Sequence, residues 1–136
     1  MKYSLQFSDA LHILVYLKMF EENEGITSQQ IADSVNTNPT RIRRIMGKLK
    51  KAGLICSRSG VANPSLAKSV DEITFLSVYQ ALDEPQRVIP IDENTNPECP
   101  VGRNIKRALA IEYDQLDQVV KQQLAKMTLA DLMAKL

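Results

Sequence analysis

Apolar positions recur at helical spacing along most of the chain and give way to short β-prone runs in one region. From Ser4 to Phe20, the residues Phe7, Ala10, Leu11, Leu14, Val15 and Leu17 form a broad apolar face and predict an amphipathic helix. The polar stretch EENEG then predicts a loop. Thr27 is followed three residues later by Gln30, a capping-box spacing in which side chains satisfy the first N–H groups of a helix reciprocally. Ile26 and Ile31 are placed to close that start as a hydrophobic staple, and Ile31, Ala32 and Val35 share one apolar face. This helix is expected to stop near Asn36. Asn38 is expected to cap the next, with Pro39 at its first position, where a missing N–H costs nothing. Ile42, Ile45, Met46 and Leu49 mark its buried side, and Gly53 is suited to end it with a positive φ.

Leu54 to Cys56 and Ser65 to Ala67, separated by the turn-rich stretch Ser57 to Pro64, predict a small hairpin. Asp71 to Leu82 predicts a helix capped at Thr74. Residues 83–99 are rich in Pro, Asn and acids and predict a loop of a length usually reserved for function or disorder. From Pro100 to Met127, Ile105, Leu109, Tyr113, Leu116, Val120, Leu124 and Met127 alternate steps of four and three. That pattern approximates a heptad seam on a helix roughly 40 Å long, which must bury its stripe either within the chain or, as preferred here, against a second copy. Thr128 would cap a last short helix, TLADLMAKL. The expected fold is mainly α: a winged helix-turn-helix over 1–82 with a two-stranded β-wing, a loop over 83–99, and a long C-terminal dimerisation helix with a terminal helix over 100–136.

Charge gives the helix at 39–52 its meaning. Arg41, Arg44, Lys48 and Lys51 are expected on its exposed side as one stripe flanked by Arg43 and Lys50. Between Thr40 and Arg58 there are seven basic residues and no acid. A face kept soluble without a partner normally mixes signs, so the stripe points to a polyanion. A short turn followed by a helix with a basic outer face is the arrangement that sets side chains against base edges in a major groove. The net charge of +1 conceals an asymmetry: residues 1–70 hold ten Lys and Arg against five Asp and Glu, whereas residues 71–136 hold seven against eleven. Only the first half is suited to face phosphate. Lys2, Tyr3 and Ser8 near the chain start, Asn38 and Thr40 at the start of the basic helix, and Arg58 in the wing are further candidates for contact.

Several classes are disfavoured. MKYSLQFSDALH lacks the apolar run and cleavage site of a signal peptide, and no stretch approaches the ~20 apolar residues of a membrane span, so the cytoplasm is the expected compartment. Two distant cysteines give neither a disulfide framework nor a metal-finger spacing. The single histidine, His12, lies beside an apolar face without clustered acids, and a structural role is expected for it. No nucleophile–base pair, phosphate-binding glycine loop or metal-ligand cluster suggests an enzyme.

Together, MKYSLQFSDALHILVYL, ITSQQIADSVNTNPTRIRRIMGKLKKAGLI, DEITFLSVYQAL, CPVGRNIKRAL and MTLADLM cover nearly the full chain. In this order they resemble a bacterial family of dimeric winged-helix transcription regulators that includes the iron–sulfur cluster regulator, the nitrite-sensitive repressor and the cysteine metabolism repressor. The resemblance implies a homodimer that represses by binding a roughly palindromic DNA operator. It also implies phosphate contacts from Ser28 and Gln29, base contacts from Thr40, Arg41 and Arg44, and backbone contacts from Arg43 and Lys48. Cluster-binding members carry three cysteines before the long helix, but this chain has only Cys99 there, and a [2Fe–2S] site needs four ligands. No cluster of that kind is expected. The wing, GVANPSL, also lacks the paired glycines and aromatic residue often found there.

Cys99 directly precedes Pro100, near the start of the long helix, where a helix N-terminus favours a thiolate. Two readings stay open for it: a redox or electrophile sensor, or a packed, unreactive thiol. An alternative for the whole chain is a winged-helix protein-interaction subunit without specific DNA binding, with which the acidic second half is compatible.

Overall fold

The computed structural model describes residues 5–57, 63–83 and 87–136. Helix α1 (Gln6–Met19) is the hub of the first of two compact units, packing against α2, α3, α4, α6 and strand β2. Ala10, Ile13, Leu14 and Leu17 are completely or almost completely buried. Ile13 lies outside the predicted apolar face, and its burial reflects cover from several neighbours at once.

Helices α2 (Ser28–Val35) and α3 (Pro39–Lys51) form the helix pair. Their ends follow local chemistry. The Thr27 hydroxyl accepts from the Gln30 N–H at 3.2 Å, and the Gln30 side chain accepts from the Thr27 N–H at 2.9 Å. Asn36 ends α2 in the left-handed region with φ 66°, a conformation asparagine tolerates better than most residues. Asn38 Oδ1 accepts from the Arg41 N–H at 2.8 Å, and Pro39 opens α3. Gly53, with φ 78°, turns the chain so that its own N–H reaches Lys50 and the Leu54 N–H reaches back to Leu49.

The hairpin pairs β1 (Ile55–Cys56) with β2 (Ser65–Leu66), antiparallel, with Ile55 opposite Leu66 and Cys56 opposite Ser65. It is shorter than expected because Leu54 uses its N–H to finish α3, and only its carbonyl is left to accept from Ala67.

Helix α4 (Phe75–Ala81) begins directly after Thr74, the cap that the sequence predicts, so Asp71 to Ile73 precede it. The preceding backbone is occupied elsewhere: Phe75 N–H donates to Met127 O at 2.8 Å, and Leu129 N–H donates to Ile73 O at 2.9 Å. Thr74 and Thr128 thus face each other in an antiparallel bridge. Each then caps a helix, Thr74 accepting from Ser77 N–H and Thr128 forming a capping box with Asp131 at the start of α6 (Leu129–Met133). Leu129 is fully buried, as are Ile73 and Val78.

The terminal residues 125–136 therefore belong to the first compact unit with residues 1–84, while 85–124 form the second. The sequence groups α6 with the long helix, whereas α6 packs on α1 and bonds to the backbone of Val70 and Ile73. The second unit consists of most of α5 (Pro100–Lys126) and the segment that precedes it. Asp117, 7% exposed, accepts from the Val88 N–H at 3.0 Å, and Arg87 pairs with Asp114 at 2.7 Å. Glu93 pairs with Lys106, and the Thr95 hydroxyl donates to the Gly102 carbonyl at 2.6 Å. A side chain at Gly102 would strike the Asn96 carbonyl oxygen.

Leu129→Ala is expected to destabilise the protein by about 2–5 kcal/mol, the usual cost of emptying a fully buried leucine site. Thr128→Ala is expected to cost about 0.5–2 kcal/mol through loss of the cap. Denaturant melts would show both, and a Leu129→Ala midpoint equal to that of the unmodified chain would refute the packing of α6.

Candidate nucleic-acid interface

Burial of Ile42, Ile45 and Leu49 sets the rotation of α3, and all three are completely buried. The opposite line, Thr40, Arg44, Gly47 and Lys51, recurs at steps of four, three and four and faces solvent, with Arg43 and Lys50 exposed beside it. This differs from the expected stripe of Arg41, Arg44, Lys48 and Lys51. Arg41 and Lys48 lie on a flank of α3 and are drawn inward.

Two nitrogens of Arg41, Nε and Nη2, donate to the same Asp9 oxygen of α1, at 3.1 and 2.9 Å. Lys48 donates to Gln6 Oε1 at 3.1 Å and pairs with Asp83 at 3.4 Å. Their side chains are only 32% and 22% exposed, so both cations are largely engaged in tying α3 to its neighbours. Arg44 and Lys51, by contrast, make no side-chain hydrogen bond or ion pair among the described residues. Arg43 donates to Thr40 Oγ1 at 3.3 Å, a long contact on its own helix. Asn38 uses its side-chain oxygen as the cap of α3.

Ser28 and Gln29 at the start of α2 share with Arg43 a groove of about 460 Å³, lined also by Met46, Ser57, Asn63 and Pro64. A helix N-terminus carries partial positive charge and orphan N–H donors, and here it stands beside a guanidinium. The groove can take an anionic oxygen group. Gln29 is exposed, with its amide held by Asp33 at 2.8 Å. Lys50 reaches Ser57 at 2.8 Å and so links the basic helix to the hairpin. Ser57 and Asn63 carry no charge, and only the folded geometry brings them beside Arg43; Gly47 follows from the helical spacing of Ile42, Ile45 and Leu49 but has no side chain to mark it. Lys2, Tyr3 and Arg58 lie outside the described residues. Ser8 is exposed on α1 beside His12, whose Nε2 is 2.8 Å from Ser34 Oγ, a link between α1 and α2.

Cys99, in the second unit, is half-buried at the start of α5. Backbone N–H groups of Gly102 and Val101 donate toward its sulfur and lower the thiol pKa from its ordinary value, as expected where helix-start donors meet a forming thiolate. Cys56 is exposed in β1, with its sulfur 3.3 Å from Ser65 Oγ.

Residues 3–135 match the Rrf2 family model, described as "Iron-dependent Transcriptional regulator". YwnA of Bacillus subtilis (strain 168), which bears the provisional name of an HTH-type transcriptional regulator, is 40% identical over 124 residues, 91% of each chain. A crystal structure provisionally described as that of a DNA-binding protein is similar with a TM-score of 0.76 and 38% identity, over 94% of this chain and 98% of that one. CymR, the global cysteine regulator of B. subtilis, is similar with a TM-score of 0.69 and 25% identity, over 98% and 97% of the two chains.

The chain has two cysteines and one histidine. Cys56 and Cys99 belong to separate units, and His12 is bonded to Ser34. Among the described residues no three His, Cys, Asp or Glu side chains are grouped to hold a metal ion. Two cysteines and one histidine are fewer than the four ligands, usually thiolates, that an iron–sulfur cluster takes.

Arg41→Ala is expected to lower stability by about 1–2 kcal/mol, since it leaves Asp9 without its charge-assisted bonds. Arg44→Ala should stay within about 0.5 kcal/mol of the unmodified chain. Equal denaturation midpoints for the two variants would contradict the assignment of Arg41 to the flank. Because its folded pKa is depressed, Cys99 should reach half-maximal alkylation at a lower pH than the same cysteine in the unfolded chain. A pH–rate profile for iodoacetamide that coincides in the two states would count against the helix-start donors.

Proposed function

The chain belongs to the Rrf2 family of transcriptional regulators, and on that footing we propose that it is a homodimeric repressor that reads a roughly palindromic operator in double-stranded DNA. Each protomer would lay α3 in a major groove. The observation that carries this reading is the solvent-facing line of Thr40, Arg44 and Lys51, flanked by Arg43 and Lys50, in a stretch from Thr40 to Ser57 that contains no acid. Arg44 and Thr40 are best placed for base edges. Arg43, with Ser28 and Gln29, is best placed for a phosphate in the groove beside the hairpin. Arg41 would reach DNA only by leaving Asp9, so base reading is assigned to its neighbours instead.

The pairing part of the proposal draws on α5. Val101, Ile111, Leu116 and Val119 are 68%, 53%, 48% and 64% exposed, a run of large apolar side chains along one helix that water does not favour. A twofold partner offering the same helix would cover them, and two protomers would present two copies of α3 to successive half-sites. Repression by occlusion needs only occupancy of the operator, which paired readers of this kind supply.

Arg44→Ala is expected to weaken binding to a selected operator about 10- to 100-fold, the usual scale of one lost base contact. Affinity for the operator should also fall steeply and log-linearly with salt concentration as phosphates are neutralised. A pull-down of one stoichiometric protein partner, with no shift of any DNA at low salt, would favour the interaction-subunit reading instead. Ile111→Glu combined with Val119→Glu should convert a dimer to a monomer in sedimentation; an unmodified chain already monomeric at micromolar concentration would remove the pairing proposal. Loss of the gene should raise transcription from the bound promoter, and a fall would reassign the protein as an activator.

A further inference from the structure

Of the glycines described, all but one are required by the chain itself. Gly25 and Gly53 have φ of 74° and 78°, and Gly102 has no room for a side chain beside Asn96. Gly47 has neither reason. It lies inside α3, four residues before the helix ends, outside the set of glycines with positive φ, and a Cβ built on it meets nothing within 4 Å. Glycine inside a helix is unfavourable relative to alanine because it loses more backbone freedom on folding. Nothing within the described protein offsets that cost.

The position of Gly47 supplies the missing reason. It sits on the solvent-facing line between Arg44 and Lys51, at the middle of the basic face, so the two long cationic side chains straddle a bare patch of helix backbone. A glycine at such a place allows another molecule's atoms to approach the backbone more closely than any side chain would permit. We infer that Gly47 is the point of closest approach between α3 and the base-pair edges of the bound DNA, a position that sets how deeply the recognition helix seats. This rests on the reading of α3 as the groove-entering helix. The expected contact is apolar, a base edge or thymine methyl against the Cα of Gly47, which carries no charge and so contributes to sequence-specific seating rather than to general attraction.

The test is Gly47→Ala, a change that the fold should welcome. Its melting temperature should rise by about 2–4 °C, as expected for replacing an exposed mid-helix glycine. Binding to a duplex recovered by the unmodified protein from a random-sequence pool should fall at least tenfold. Binding to a scrambled duplex of the same length, and the salt dependence of that binding, should not change. Tight binding of the selected duplex by Gly47→Ala, equal to that of the unmodified protein, would overturn the inference while leaving the DNA-binding reading intact. An equal loss on selected and scrambled duplexes would also overturn it, since steric obstruction of a seated helix cannot weaken general phosphate attraction. If the unmodified protein recovers no duplex from the pool at low salt, both the reading and the inference fail.

Discussion

The structure depends first on how α3 is held against α1. Ile42, Ile45 and Leu49 are completely buried, and burial of side chains this large contributes on the order of 2 kcal/mol each. That contact fixes the rotation of α3 about its own axis. Once the rotation is set, the identity of every outward residue follows: Thr40, Arg44, Gly47 and Lys51 point to solvent because their neighbours three and four positions away point to the core. The ion pair of Arg41 with Asp9 and the bonds of Lys48 to Gln6 and Asp83 then secure one flank. A helix rotated by a few tens of degrees would present these anchored cations, and the same composition would describe a different surface.

Much of this was legible in the sequence because it depends on local chemistry. Thr27 with Gln30, Asn38 with Pro39, and Thr74 and Thr128 announce helix starts through side chains that serve N–H groups two or three residues away, and all four caps form. What the sequence did not reveal depends on residues far apart along the chain. Arg41 and Arg44 look equivalent in a helical projection until Asp9 is known to stand beside one of them. The backbone around Thr74 bonds to a segment more than fifty residues later, which no reading of DEITFLSVYQAL can foresee. The same bridge carries α6 into the first unit, although the heptad pattern ahead of it suggests continuity with α5.

The long helix shows a similar separation of pattern from partner. The stripe of Ile105, Leu109, Tyr113, Val120 and Leu124 is half-buried, and the segment before α5 is fastened to that helix through Val88, Arg87, Glu93 and Thr95. The side chains left most open, Val101, Ile111 and Val119, lie outside the seven-residue seam. Periodicity identified α5 as a helix in need of cover, but the seam it marked is partly shielded by the chain itself. The apolar side chains left open are therefore Leu116 of the seam and the neighbouring face of Val101, Ile111 and Val119, the surface on which the pairing proposal rests.

The outward side of α3 is where the chain departs from what stability alone would choose. Arg44 and Lys51 have no counter-ion among the described residues, and each lies four or three positions from Lys48, a spacing at which like charges on a helix repel. Gly47 between them weakens the same helix again. On the flank, where cations serve the fold, each is compensated by Asp9, Gln6 or Asp83. A sequence consistent at every other level that breaks local rules at one surface does so where something outside the chain completes it. A polyanion with a groove as deep as a helix resolves both departures together, since its phosphates answer the uncompensated charge and its base edges fill the space that glycine leaves open.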